Sequence, residues 1–211
     1  IYVGQRLGVT RLTKYLDKFG IGKLTGIDLE GEVVPEIKPR EGWYEADLAT
    51  ASFGQGISVT PVALLTAFSA IANNGVMMEP HIVAEVLAEN GEITKIPAKE
   101  IGRPITRATA KVMTQVLVNA VNKGEAKWAK TPGYRVAGKT GTASIPIEGK
   151  YDPNKTIASF IGFAPVDDPK FVMLVILDRP TARIYGSETA APVFFNIARD
   201  LFTYFGIAPD E

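Results

Sequence analysis

Three apolar runs in the second half of the chain constrain its fold more than any other feature. They cover Tyr134–Ala143, Thr156–Ala164 and Lys170–Leu177, and each has the residue pattern of a strand. Asp167-Asp168-Pro169 has the composition of a tight turn between the second and third runs. We therefore predict three antiparallel strands in this part of the chain.

Helical patterns surround these strands. They cover residues 1–20, Val62–Ala72, 106–122 and Ser187–Phe205. The first could be one helix or two short ones, ending at Gly20. The second has Thr60 as a suitable N-cap and Pro61 at its first position. This order of elements predicts an α+β fold in which helices flank an antiparallel sheet.

The apolar positions of the helices predict which faces are buried. In the helix at 106–122 they are Val112, Val116, Val118 and Val121. In the last helix they are Val193, Phe194, Ile197, Leu201 and Phe205. The helix that begins at Val62 has almost no polar residue, so we expect it to be buried on most sides.

A β-hairpin is predicted between residues 81 and 96. Asn90-Gly91 is a strong hairpin turn signal. The segments His81–Val83 and Ile93–Ile96 flank it and would form the two strands.

Composition excludes several classes of function. The 211 residues include 23 basic and 23 acidic side chains and no cysteine, and 46% of them are hydrophobic. A balanced charge argues against a nucleic-acid partner. Without cysteine there is no disulfide or thiolate metal site, and the carboxylates are scattered without ligand spacing, so we predict no metal and no cofactor. His81, the only histidine, stands beside Pro80 and is interpreted as a structural or solvent-facing residue rather than a general base.

The chain begins at Ile1 directly in a helical pattern, without a polar lead-in. We interpret it as a portion of a longer protein. The lack of an apolar run long enough to cross a membrane therefore carries no conclusion about an anchor elsewhere.

The motif with the clearest chemistry is Lys139-Thr140-Gly141-Thr142, at the end of the first predicted strand. A Lys-Thr-Gly triplet alone is weak, but here it ends an apolar strand. Gly138 and Gly141 indicate close approach by a ligand or another backbone. Thr140 and Thr142 alternate, so both hydroxyls should share one face, whereas Lys139 should point to the other face unless the strand twists.

These residues resemble the transpeptidase domain of class B penicillin-binding proteins, which carries Ser-x-x-Lys, Ser-x-Asn and Lys-Thr/Ser-Gly-Thr in that order. The similarity continues in order through most of the chain. The matching stretches are Phe19–Glu32, Ser52–Pro61, Val136–Ala143, Asn154–Pro165 and Ala190–Phe194. The resemblance implies that residues 1–211 are the C-terminal portion of such a domain, with an incomplete fold of the β-lactamase/transpeptidase type.

The resemblance also implies an activity and a site. Members are D,D-transpeptidases that crosslink peptidoglycan stem peptides through a serine acyl-enzyme, and β-lactams mimic their donor. Lys139 and Thr142 would be catalytic, the latter through its backbone N–H in the oxyanion hole. Thr140, Gly141 and Thr142 would bind the donor, and Gln55 and Ser144 are further candidates for substrate contact.

The setting follows from the same resemblance. The partners would be stem peptides, β-lactams and, through the longer protein, membrane-embedded division or cell-wall synthesis proteins. The location would be the extracytoplasmic face of the bacterial cell membrane. Tyr185 and Gly186 precede the last helix and could edge the cleft, although the sequence favours a role outside it.

Two of the three family motifs are missing. No serine or threonine is followed by lysine three positions later, and no Ser-x-Asn occurs. We expect both motifs upstream, an inactive isolated chain, and an open edge on the last strand. A serine β-lactamase relative and a non-catalytic penicillin sensor remain alternatives. The long Gly- and Pro-containing loop after Gly22 disfavours the β-lactamase.

Overall fold

The computed structural model describes residues 1–147 and 150–210, and the chain divides into two compact units. The first unit covers Ile1–Ala110 and the second covers Lys111–Glu211. The structure is α+β with antiparallel strands, as predicted. No helix within the described ranges is long and apolar enough to cross a membrane.

Among its described elements the first unit contains four complete α-helices, a 3₁₀ helix (Arg40–Gly42) and four short strands. The helices are α1 (Tyr2–Leu7), α2 (Val9–Lys18), α3 (Glu45–Ala51) and α4 (Pro61–Ala72). The strands are β1 (Met77–Met78), β2 (Glu85–Leu87), β3 (Ile93–Lys95) and β4 (Glu100–Gly102). Strand β1 pairs with β4 and β2 pairs with β3, both antiparallel.

Local signals placed α1, α2, α4 and β3 correctly, whereas α3, β1 and β4 were not predicted. The first 20 residues form two short helices that separate at Gly8, which has a φ of 76°. Helix α4 begins at Pro61, and the Thr60 hydroxyl accepts a hydrogen bond of 3.3 Å from the backbone N–H of Ala63. This cap satisfies one of the helix's free N–H groups.

The hairpin has a different first strand from the predicted one. Strand β2 is Glu85–Leu87, and His81–Val83 is not in a strand. The reason is a competing acceptor: the carboxylate of Asp28 accepts hydrogen bonds from the N–H groups of Ile82 (2.7 Å) and Val83 (2.9 Å). Those donors are therefore not available to a strand ladder.

The second unit contains most of α5 (Arg107–Lys123), three strands and α6 (Ala190–Tyr204). The strands are β5 (Ala137–Ile147), β6 (Lys150–Ala164) and β7 (Phe171–Asp178), arranged in the order β5-β6-β7. Strand β5 begins three residues after the predicted start at Tyr134. Both β5 and β6 extend further toward their connection than the apolar pattern indicated, across a register shift between Ser144 and Pro146.

Aromatic side chains fill the core between the sheet and α6. Phe160 of β6 lies 4.6 Å from Phe194 and 5.4 Å from Phe195, measured between ring centroids. Phe202 stacks on Tyr134 at 4.1 Å. Burial of one such ring contributes about 1.5–3 kcal/mol. Since β6 is the neighbour of β5, this core holds the strand that carries the Lys-Thr-Gly-Thr motif.

The predicted faces of two helices need correction. In α6 Phe194 is buried as predicted, together with Ala190, Ala191, Phe195, Ala198 and Phe202. By contrast, Val193 and Ile197, and Phe205 just after the helix, are exposed by 39%, 40% and 44%. In α5, Val118 and Val121 are buried, but Val112 and Val116 are exposed by 66% and 53%. Both helices carry apolar residues on more than one face, so spacing alone did not select the buried face.

Candidate active site

Strand β5 carries the predicted motif along one edge of the three-stranded sheet. Lys139, Thr140, Gly141 and Thr142 stand opposite Ile161, Phe160, Ser159 and Ala158 of β6, respectively. On its other side β5 pairs with no strand in the described part of the chain. An unpaired edge offers backbone groups to an extended ligand.

The ammonium group of Lys139 lies beside the hydroxyl of Thr140. Its Nζ donates to the Thr140 carbonyl at 2.9 Å and contacts Thr140 Oγ1 at 3.3 Å. The long side chain thus bends along the strand, and the charge is not separated from the hydroxyl as simple alternation suggested. No carboxylate within residues 1–147 and 150–210 forms an ion pair with Lys139, so its charge is available to an anion.

The hydroxyl of Thr142 is oriented by a segment that comes just before α6. The backbone N–H of Gly186 donates to Thr142 Oγ1 at 3.0 Å. Because one lone pair of that oxygen is occupied, the hydroxyl hydrogen can be donated elsewhere. The Thr142 side chain is exposed, so the free donor faces a region that a ligand can enter.

Two glycines permit this close packing. A Cβ on Gly186 would stand less than 3.0 Å from the carbonyl oxygens of Gly141 and Ser159. A Cβ on Gly141 would stand less than 3.0 Å from Ser159 Oγ. A side chain at position 141 would therefore require the Ser159 hydroxyl to move, and the role of Gly141 in leaving room for a substrate stays a prediction.

The same segment is held at a second point. The hydroxyl of Thr156, which is only 2% exposed, donates to the carbonyl of Ile184 at 2.6 Å. Ile184 and Gly186 are thus tied to β6 and β5. Sequence analysis favoured a place outside the cleft for Tyr185 and Gly186, but the structure puts them beside the motif. The sequence feature that could have indicated this position is Gly186, because a glycine permits close approach of two backbone segments.

A cavity of about 220 Å³ borders the motif on the side of α5. It is lined by Ala120, Gly124, Glu125, Ala126, Gly138, Lys139, Thr140 and Phe160. Glu125 and Ala126 belong to a short 3₁₀ helix, Glu125–Trp128, which follows α5. Sequence analysis did not identify this helix as part of the site.

The other predicted site residues have the following positions. Ser144 is half-buried on β5, two residues beyond Thr142, and stands opposite Thr156. Gln55 belongs to the first unit, in a turn between Gly54 and Gly56, and its N–H donates to the Thr50 carbonyl at 3.0 Å. Substrate contacts by Ser144 and Gln55 stay predictions.

His81 and the acidic residues give no further site. The His81 ring nitrogen Nδ1 lies 2.8 Å from the carbonyl of Val83, in line with a structural role. The hydrogen bonds from Val83 and Ile82 lower the pKa of Asp28 below its usual value. Among the described residues, no group of three or more His, Cys, Asp or Glu side chains could hold a metal ion.

The chain matches the penicillin binding protein transpeptidase domain family over residues 2–199, and it belongs to that family. Its relatives are class B penicillin-binding proteins.

Individual relatives show the extent of the similarity. The chain is 41% identical over 212 residues to stage V sporulation protein D of Bacillus subtilis, covering 99% of the chain and 33% of that protein. It is 32% identical over 206 residues to the peptidoglycan D,D-transpeptidase FtsI of Buchnera aphidicola, covering 96% of the chain and 35% of that protein. The chain thus spans about a third of the length of these curated relatives.

Solved structures agree with this assignment. The fold matches penicillin binding protein 3 of Mycobacterium tuberculosis with a TM-score of 0.91 and 33% identity, over 99% of this chain and 49% of that one. It also matches the transpeptidase domain of penicillin-binding protein 3 from Burkholderia pseudomallei with a TM-score of 0.86 and 28% identity, over 100% of this chain and 62% of that one. The fold is therefore of the β-lactamase/transpeptidase type.

Proposed function

We propose that this chain supplies the carboxylate-binding half of the active site of a class B peptidoglycan D,D-transpeptidase. The observation that carries the proposal is the arrangement on β5. The Lys139 ammonium lies beside the Thr140 hydroxyl, and the Thr142 hydroxyl accepts from Gly186 and is free to donate. Two hydroxyl donors next to an unpaired cation form a receptor for a carboxylate.

The donor peptide and the β-lactams share that carboxylate. The donor ends in D-Ala, whose free carboxylate would accept hydrogen bonds from Thr140 and Thr142, while Lys139 strengthens them. The donor backbone would run along the free edge of β5 as an added strand. The backbone N–H of Thr142 would be one of the two donors to the oxyanion.

The reaction transfers an acyl group in two steps. A serine oxygen attacks the penultimate D-Ala carbonyl, the peptide C–N bond breaks, and the terminal D-Ala leaves with the serine proton. An acceptor amine then attacks the ester carbon and forms the new C–N bond. The ester C–O bond breaks, and the amine's proton returns to the serine oxygen.

Neither a Ser-x-x-Lys nor a Ser-x-Asn pattern occurs in these 211 residues, and we infer that the nucleophile and its base belong to another part of the longer protein. The chain alone should therefore form no acyl-enzyme, and the activity belongs to the longer protein that carries it.

Solved relatives support β-lactam binding. Penicillin binding protein 3 of Mycobacterium tuberculosis, 33% identical to this chain, has been solved in complexes with aztreonam and with ampicillin. Peptidoglycan lies outside the cytoplasmic membrane, so the protein would act at the extracytoplasmic face of that membrane. We extend the proposal to division or cell-wall synthesis proteins as partners, supported by the names of the sporulation and FtsI relatives.

Labelling with a fluorescent penicillin tests the proposal. The full-length protein that contains this chain should acquire one covalent label that unlabelled ampicillin prevents. The 211-residue chain alone should acquire none. A full-length protein that remains unlabelled would contradict the transpeptidase assignment, and a labelled isolated chain would contradict the missing nucleophile.

A further inference from the structure

A second pocket of the second unit, which shares only Glu125 with the cavity beside Lys139, has a cation-binding composition. Its volume is about 350 Å³, and it is lined by Glu125, Trp128, Tyr185, Ser187 and Glu188. Two of these five side chains are acidic, two are aromatic, and none is basic. Carboxylates together with exposed aromatic faces are the groups that proteins use to bind ammonium ions.

The charge of this pocket is not compensated. Neither Glu125 nor Glu188 forms an ion pair or a side-chain hydrogen bond in the part of the chain that the structure describes. Lys130, which is close in sequence, donates instead to Asn122 Oδ1 at 3.3 Å. The pocket therefore presents two free carboxylates to a ligand.

Ser187 is a separate indication of a ligand. It is only 6% exposed, and its hydroxyl has no hydrogen-bond partner among residues 1–147 and 150–210. The Ser187 oxygen is not one of the fully enclosed, unpaired side-chain atoms of the described residues, so this hydroxyl is open to a ligand although most of the residue is covered. Because Ser187 lines the pocket, an N–H donor in the pocket would satisfy it.

The pocket is adjacent to the proposed carboxylate site. Tyr185 and Ser187 are the two chain neighbours of Gly186, whose N–H lies 3.0 Å from Thr142 Oγ1. Consecutive Cα atoms are about 3.8 Å apart, so the pocket wall begins one residue from the Thr142 contact. A stem peptide held on β5, or a second one approaching it, could place an amine there.

We propose that this pocket binds a primary ammonium group of a peptidoglycan stem peptide. Glu125 and Glu188 supply the charge, Trp128 and Tyr185 supply aromatic faces, and the Ser187 hydroxyl accepts one N–H. This inference rests on the proposed function, which requires an amine as acceptor. The ammonium comes either from the donor peptide or from the acceptor peptide, and the two sources give different kinetics.

The test uses the full-length protein that contains this chain and two peptides ending in D-Ala-D-Ala. One peptide has a free side-chain amine, and its twin is acetylated on that amine. If the donor supplies the ammonium, acylation by the free-amine peptide is faster in the wild type. The double variant E125Q/E188Q then reduces this preference about tenfold, as expected for the loss of two exposed charge pairs.

If the acceptor supplies the ammonium, acylation by both peptides is equal. In that case E125Q/E188Q raises the concentration of an amine acceptor needed for half-maximal transfer about tenfold. The charge-matched variant D168N/D200N, which changes exposed acidic residues outside the pocket, changes neither quantity. The proposal is overturned if both peptides acylate the wild type at the same rate and E125Q/E188Q needs the same acceptor concentration as the wild type for half-maximal transfer.

Two further measurements do not depend on whether the E125Q/E188Q variant folds correctly. Titration of the wild type with the free-amine peptide should change the tryptophan fluorescence more than its acetylated twin does, and this difference should vanish in W128F. Identical titrations with both peptides would contradict the pocket assignment. Penicillin labelling of the wild type checks the proposed function separately: without labelling, the transpeptidase assignment and this inference both fail.

Discussion

The backbone N–H of Gly186 lies 3.0 Å from the hydroxyl oxygen of Thr142, although 44 residues separate the two in sequence. This contact joins the segment before α6 to the motif strand. It fills one acceptor position of the hydroxyl and leaves its hydrogen for a ligand. The geometry of the motif is therefore set partly by a segment outside the motif.

Substitution Gly186→Ala should weaken the site. The new Cβ would collide with the carbonyl oxygens of Gly141 and Ser159, which are backbone atoms and cannot move aside without shifting the segment. We expect penicillin acylation of the full-length protein to fall about tenfold or more, by loss of one orienting hydrogen bond. Gly102→Ala is the control, because its Cβ would meet only Met77 Cε at 4.0 Å. Equal rates in both variants would contradict this account.

Two adjacent residues of α6, one buried and one exposed, allow a test of its buried face by stability measurements. Phe194 is fully buried, whereas its neighbour Val193 is 39% exposed. Phe194→Ala should reduce the free energy of unfolding by about 3–5 kcal/mol, and Val193→Ala by much less. Chemical denaturation of both variants measures the difference. A larger loss for Val193→Ala would contradict the buried face seen in the structure.

Acid should destabilise the first unit through Asp28. The hydrogen bonds from Val83 and Ile82 lower the pKa of this carboxyl in the folded state, so its stabilising effect is present above the unfolded pKa. It is lost as the pH falls from about 4 through the lower folded pKa. Asp28→Asn should remove this part of the pH dependence in thermal unfolding between about pH 5 and 2. Asp17→Asn, whose exposed carboxylate pairs with Lys23, should keep it. The same acid slope in Asp28→Asn as in the wild type would refute the assignment.

The sequence predicted those elements that are determined by neighbouring residues, such as caps and strand patterns. Thr60 and Pro61 start α4, and the strand pattern around the motif locates β5. The strand at His81–Val83 was wrong because its N–H groups bond to Asp28, more than 50 residues away. The buried face of α6 was only partly predicted: Phe194 is buried as expected, but Phe195, which also packs on Phe160, was missed, and Val193 and Ile197 are exposed. Gly186 and the 3₁₀ helix at Glu125–Trp128 join the site through contacts that no spacing rule describes.

In the proposed function, β5 binds the carboxylate of the donor or β-lactam through Lys139 and the two threonines. The most direct measurement compares acylation of the full-length protein by a penicillin and by its methyl ester, in the wild type, Lys139→Gln and Thr142→Val. Charge-assisted hydrogen bonds contribute about 1.5–3 kcal/mol, so each variant should slow the acid about 10–100-fold. We expect the ester to react slowly in all three proteins, and the variants to slow it hardly further. Equal slowing of acid and ester by the variants would contradict carboxylate binding at this strand.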